Sequence, residues 1–312
     1  MRAPVVVFAY NRKEHLKRTL EALAANEGAD ETSLYIYIDA PKEGLQKDSE
    51  QVKANEAVKK YVEEFTASGC GKVFADITTE AAQIHKGLAD AVIGGVSDVI
   101  DRHGTAIVVE DDIVTSPYFL NYMNDALEYY KDNDKVWSIS GYTLPLPALK
   151  GYDKDVYAFY RCCSWGWATW KDRWVMNDWN VRSFKSFDRN YFKRRRFNRG
   201  GRDLSFQLDR QMLDLIDSWA IRWGYNESIH DMVTIYPSAS YVDNEGFDGS
   251  GTHFGSVSTN YNTTIQGKKN YTFTEPFVDR KIAKQFHDRY SENALKAFIK
   301  EVLYCLHLYE VK

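Results

Sequence analysis

Ala106-Ile107-Val108-Val109-Glu110-Asp111-Asp112-Ile113-Val114, followed at once by Ser116-Pro117, is the stretch on which the fold turns. Its apolar run has the length of a buried strand, and it stops in three consecutive acids. An unpaired carboxylate in a protein interior either costs several kcal/mol or takes up a proton, so a strand has no structural reason to end this way. A bound divalent cation removes the penalty. Oxygen-only ligands at the carboxyl end of a strand suit Mg²⁺ or Mn²⁺ beside substrate phosphates, which points to a metal and nucleotide site. The bland alternative is a solvated turn.

Upstream of the triplet the chain alternates regularly. Val5-Val6-Val7-Phe8-Ala9-Tyr10 is a short apolar run ending at Asn11-Arg12, and Leu16, Leu20 and Leu23 follow at helical spacing. Residues 34–38 lead as a second strand to Asp39, residues 49–67 are helical, and 73–77 form a third strand before a helix over about 80–100. After the triplet strand a helix runs to Tyr130. Such β-α alternation predicts a mostly parallel sheet flanked by helices, with ligands at the carboxyl ends of its strands. Asn11, Arg12, Asp39 and residues 110–112 all fall there.

The second half is less regular. Strands are expected at 136–140, 156–160, 233–236 and 240–242, and a helix is expected to begin inside Ser164-Trp165-Gly166-Trp167-Ala168-Thr169-Trp170. Residues 189–202 carry seven Lys or Arg and no acid, and read as a mobile loop. Residues 204–225 read as one helical region. A last helix from Ser291 places Leu295, Phe298, Ile299, Val302, Leu303 and Leu306 on one face, which is expected to pack on the domain.

Composition narrows the class. The 312 residues carry a formal charge of -4 with a pI near 6.0, which excludes a surface built throughout for nucleic acid. With 21 Tyr and 8 Trp the chain has the aromatics of a sugar-binding cleft or of a large aromatic core. Cys70, Cys162, Cys163 and Cys305 have neither CxxC spacing nor the density of a disulfide scaffold. No secretory signal design opens the sequence and no apolar stretch reaches bilayer-spanning length, so the expected location is the cytoplasm, where the sequons at Asn226, Asn262 and Asn270 have no consequence.

In the order Val5 to Arg12, Val108 to Asp112, Ser164-Trp165-Gly166-Trp167 and Asp217-Ser218-Trp219, the chain resembles the GT-A fold glycosyltransferases. Within them it is similar to the N-acetylglucosaminyltransferase I group and its bacterial relatives that build surface polysaccharides. The resemblance spans residues 4–255 and implies a Rossmann-like GT-A domain over 1–255, with a nucleotide-sugar half at 1–133 and an acceptor half at 134–255. Residues 256–312 would form a C-terminal extension. Carried over, Asp112 would bind Mn²⁺ (or Mg²⁺), while Glu110 and Asp111 would contact the donor's sugar and ribose. Arg12, with Asn11 beside it, would meet the diphosphate, and Asp39 and His85 the nucleobase. The catalytic base would be Asp217 or Asp178, each near a tryptophan.

The implied partners are a nucleotide-sugar donor, UDP-sugar above others, and a hydroxyl of a glycan or lipid-linked glycan in lipopolysaccharide, O-antigen or capsule. Asp217, taken as lying within an apolar-patterned helix, suits a general base for an inverting displacement, against the alternative of a salt bridge to Arg210 or Arg222. The glycine-rich loop 243–253 could close over a nucleotide, with His253 reaching the metal or diphosphate. Trp165 and Trp167 are expected to offer a sugar platform or to pack in the core. The basic stretch 193–202 is either a solvated loop or a peripheral contact with anionic headgroups of the inner membrane. A sugar nucleotidyltransferase would normally carry a glycine-rich loop after the first strand, which is absent here, and a carbohydrate-binding protein would keep the aromatics without turnover.

Overall fold

A computed structural model describes residues 2–246, 263–265, 267–290 and 294–309. The first half builds β1 (Val5–Ala9), α1 (Lys13–Ala24), β2 (Ser33–Ile38), α2 (Glu50–Ala67), β3 (Asp76–Ala81), α3 (Leu88–His103), β4 (Thr105–Glu110), β5 (Ile113–Thr115) and α4 (Phe119–Tyr130). The second half adds β6 (Val136–Ser140), β7 (Val156–Phe159), β8 (Trp167–Trp170), α5 (Lys171–Val175), α6 (Phe184–Phe187), α7 (Tyr191–Phe197), α8 (Leu204–Met212), α9 (Trp219–Ile229), β9 (Val233–Pro237), β10 (Val242–Asn244), α10 (Arg280–Arg289) and α11 (Ala294–Cys305).

One eight-stranded sheet runs β3-β2-β1-β4-β8-β6-β9-β7, and a small second sheet pairs β10 with β5. The β3-β2-β1-β4 half is wholly parallel, as the β-α alternation predicts, while β8 joins antiparallel to both β4 and β6. This is the α/β arrangement expected: a mostly parallel sheet, flanking helices and a less regular second half. Leu16, Leu20 and Leu23 of α1 and Val58, Val62 and Phe65 of α2 cover one face of the sheet, joined by α4, and α3 with a tryptophan cluster covers the other. Burial on both faces explains why β1 and β4 read as continuous apolar runs rather than alternating ones.

Several expectations are corrected. The third strand begins at Asp76 rather than Val73, and α3 starts at Leu88, so the 80–87 stretch is strand end and loop. β3 is the sheet's exposed edge, and its polar residues hide the strand signal. The Trp167–Trp170 segment is a strand, with the helix following it at Lys171. Residues 204–225 break into two helices, because Asp214 takes a left-handed φ of 56° and Ser218 caps α9 by accepting from the Ile221 N–H.

The basic stretch is not a mobile loop. It folds as α7, capped by Asn190, with Arg194 fully buried. A helix not anticipated, α10, sends Ile282 and Phe286 into the main core, where Phe286 lies 4.1 Å from Phe159 between ring centroids. The division at 255 lies outside the described residues. Finally, α11 does not pack by its apolar face: Phe298, Ile299 and Leu306 are exposed, whereas Glu301 and Tyr304 are buried.

Candidate functional site

The carboxyl ends of β1, β2 and β4 open side by side because parallel pairing in register brings them there; Phe8 lies opposite Glu110 and Ala9 opposite Ile38. Asn55, the one polar residue in α2's buried stripe, donates to the carbonyls of Tyr10 (2.7 Å) and Asp39 (2.8 Å) and so ties the β1 and β2 loops together. A polar residue at a core-facing helix position is a signal legible in sequence, though motif spacing alone does not carry it.

At the centre Arg12 pairs with Asp111 and, at 2.8 Å, with Asp112 Oδ2. The Thr19 hydroxyl donates to the Asp111 carbonyl at 2.9 Å, fixing the turn that follows β4. Burial raises the pKa of Glu110, and the charges of Asp112 and Asp111 push it further, with Arg12 opposing. Burial likewise raises Asp111, against the lowering effect of Arg12. Burial disfavours the charge on Arg12, yet the two aspartates outweigh it and hold its pKa above the ordinary arginine value. Among the described residues three acids thus share one cation, and Asp112 Oδ1 is buried with no hydrogen-bond partner. A buried, unpartnered carboxylate oxygen in an acidic cluster is a position that calls for a ligand.

The β5–β10 pair carries the start of the glycine-rich loop onto this cluster. The Glu245 N–H donates to the Asp112 carbonyl at 2.9 Å, Glu245 pairs with Arg18, and a Cβ on Gly246 would collide with the Asp112 carboxylate. His253 and the rest of that loop lie outside the described residues. Among the described residues no three acidic, histidine or cysteine side chains are placed to hold a metal by themselves. The free oxygen of Asp112 fits a cation that takes one or two carboxylates and completes its shell with water and phosphate oxygens, the usual habit of Mg²⁺.

Asp39 stands at the end of β2 with both carboxylate oxygens engaged. They accept from the backbone N–H groups of Ala40 (2.9 Å), Lys86 (2.8 Å) and Gly87 (3.0 Å), and Oδ2 lies 2.9 Å from His85 Nδ1. In this state Asp39 anchors the loop ahead of α3. His85 is in that loop rather than in the helix, its Nδ1 2.8 Å from the Ala40 carbonyl and its ring 5.7 Å from that of Tyr10. Asn11 is half-buried in the turn before Arg12.

Asp217 is not inside a helix. It precedes α9, its side chain is 63% exposed, and it pairs with Arg222 at 3.4 Å, the salt bridge weighed as the alternative. Its Oδ2 nevertheless faces Gly87, 3.7 Å from where a Cβ would sit, and so borders the loop that Asp39 anchors. Asp178 is placed differently. It accepts from the N–H groups of Asn180 and Arg182 and from the Arg182 side chain; burial works against its charge, but these bonds hold its pKa below the ordinary carboxylate value, which makes it a weak proton acceptor.

Trp167 is a core residue, 1% exposed, stacked 5.1 Å from Trp219 and 5.9 Å from Trp174. With Trp137, Trp179 and Trp223 these rings form one buried cluster, which excludes Trp167 as a sugar platform. Trp165 is half-buried with its ring edge-on to Tyr142 at 4.6 Å. Burial pushes the Cys163 thiol up to about 11, so it is neutral. The four cysteines are free, and Asn226 is buried against Asp178.

No protein-family model matches the chain, and no curated protein matches it in sequence. Solved structures share part of its shape. S. aureus TarS 1-349 in complex with UDP-GlcNAc aligns with 78% of this chain and 58% of its own, at 10% identity and a TM-score of 0.44. TarS 1-349 without that ligand in its title gives 78%, 60%, 10% and 0.43. A further S. aureus TarS structure gives 45%, 21%, 13% and 0.32. The chain therefore spans less than two thirds of the length of each.

Proposed function

We propose that this chain is a glycosyltransferase that moves a hexose or N-acetylhexosamine from a nucleotide-diphosphate donor, UDP-linked, to a hydroxyl of a bacterial surface glycan. The observation that carries the proposal is the cluster at the ends of β1 and β4: Arg12 shared by Asp111 and Asp112, Glu110 beside them, and Asp112 Oδ1 buried without a partner. The order of motifs that resembles the N-acetylglucosaminyltransferase I group supports the same activity.

Departure of the nucleotide diphosphate develops negative charge on its β-phosphate, and groups that meet this charge lower the barrier. Asp112 would hold a Mn²⁺ or Mg²⁺ ion, which when bound supplies positive charge to the diphosphate. Arg12 offers further N–H donors at the same place, a planar fork suited to phosphate oxygens. Gly246 leaves room for the loop backbone to lie against Asp112. Asp39, with His85, would hold the loop that receives the base. Asp217 is the better-placed base: it borders the cleft at Gly87 with an exposed carboxylate, whereas Asp178 is committed to its own turn. The acceptor oxygen bonds to the anomeric carbon as the bond from that carbon to the phosphate oxygen breaks. Its proton passes to the Asp217 carboxylate, and the configuration inverts.

The test is calorimetric titration of UDP-GlcNAc, with Mn²⁺ and with EDTA, into the native chain and into Asp112→Ala. Metal-dependent binding that Asp112→Ala loses while its circular dichroism is unchanged is expected. Equal affinity in both proteins would remove the site.

A further inference from the structure

Helix α11 is mounted with its polar side inward. Glu301 and Tyr304 are buried, Glu301 paired with Arg194 of α7 and accepting from the Ser205 hydroxyl at 3.1 Å, and the Arg194 guanidinium lies 4.2 Å from the Tyr304 ring centroid. The apolar side therefore faces out, with Phe298 at 52%, Leu306 at 60% and Leu308 at 70% exposure. The exposed surface continues onto α7. Tyr191 meets Phe298 edge-on at 6.4 Å and Phe192 at 5.7 Å, and Phe192 is 78% exposed. Contiguous exposed rings and aliphatic chains of this kind mark an interaction surface.

The charged side chains that these two helices expose are basic, Arg196 of α7 being paired with Asp231 at 3.1 Å. Lys193 and Arg195 flank Phe192 on α7 and are exposed, and among the described residues neither helix exposes an acid. We propose that the α7–α11 face docks on a bilayer surface rich in anionic lipid, with Phe192, Phe298, Ile299 and Leu306 in the headgroup boundary and Lys193 and Arg195 on the lipid phosphates. Aromatic and aliphatic residues beside basic ones are the composition of an interfacial helix. At 12 residues α11 is too short to span a bilayer, and no helix among the described residues is long and apolar enough to do so. A second copy of the chain is disfavoured, because a two-fold contact through this face would bring its unshielded cations toward their own copies.

Vesicle sedimentation of the full chain tests the proposal independently of the donor site. Vesicles of phosphatidylcholine alone and of phosphatidylcholine mixed with phosphatidylglycerol are the probes, the second carrying the negative surface potential that attracts basic residues. Expected are binding at least tenfold stronger to the anionic vesicles and weakening as salt rises. Phe192→Ser/Phe298→Ser/Ile299→Ser should lose at least tenfold with its melting temperature unchanged. Should that variant misfold, Lys193→Ser/Arg195→Ser carries the test, with a loss of about fivefold per charge removed. Equal sedimentation with neutral and anionic vesicles overturns the proposal. So does a native dimer in analytical ultracentrifugation that the apolar variant dissociates while neither protein binds vesicles.

Discussion

Two arginines in this molecule each bridge two carboxylates, and their surroundings give them opposite meanings. Arg194 is wholly buried between Asp209 and Glu301, and every polar atom around it is used: Nη1 and Nη2 each donate to Asp209 at 2.7 Å, Nη1 also to the Asp188 carbonyl, and Nε to Glu301. Arg12 bridges Asp111 and Asp112 at the carboxyl ends of β1 and β4, with a third acid beside them and, among the described residues, one carboxylate oxygen unpartnered. The first cluster is closed and joins α7, α8 and α11. The second is short of positive charge, and it is surplus charge with a free acceptor, rather than buried charge as such, that marks a ligand site.

The largest effect is expected of Arg194→Ala. It strands two buried carboxylates and should destabilise the chain by about 3–5 kcal/mol in urea unfolding. Asp112→Asn, which removes one of the crowded charges from the cleft, should leave stability unchanged or raised; a loss as large as that of Arg194→Ala would make both clusters structural. Next in size is Asp217→Asn, which should cut kcat by about a hundredfold or more, roughly 2.7 kcal/mol, with donor affinity retained. Near-native turnover would move the base elsewhere.

A slope in pH rather than a single loss tests Glu227, an intermediate case with no cation in direct contact among the described residues. Burial raises its pKa to about 8, against a hydrogen bond from Thr234 (2.8 Å) and weaker help from Arg161 and Arg199. The folded state therefore holds a proton that the unfolded chain gives up near 4.5. Between those two values stability should fall as pH rises, by about 1.4 kcal/mol per unit at most, and it should level off above pH 8. Glu227→Gln should flatten that slope in melts between pH 5 and 9. An unchanged slope would assign it to other groups.

The parallel half of the fold was legible because its signals are local. An apolar run of strand length ending in polar residues announces both the strand and the edge where ligands gather, so Arg12 and residues 110–112 were found together. Asp217 was misplaced because a left-handed Asp214 and a cap at Ser218 interrupt an apolar pattern that reads as one helix. His85 fell in a loop because β3, exposed over most of its length, runs on to Ala81 and α3 starts only at Leu88.

By itself the sequence determined the α/β alternation, the strand ends and their acids, since each follows from the spacing of neighbouring residues. Tertiary structure alone decided which way each face points. Trp167 became core because Trp174, Trp219 and Trp223 converge on it, and Arg194 became an anchor because Asp209 and Glu301 arrive from other helices. Periodicity states that a helix such as α11 has an apolar side. Whether a neighbour covers that side depends on long-range packing, and here the buried ion cluster turned it outward.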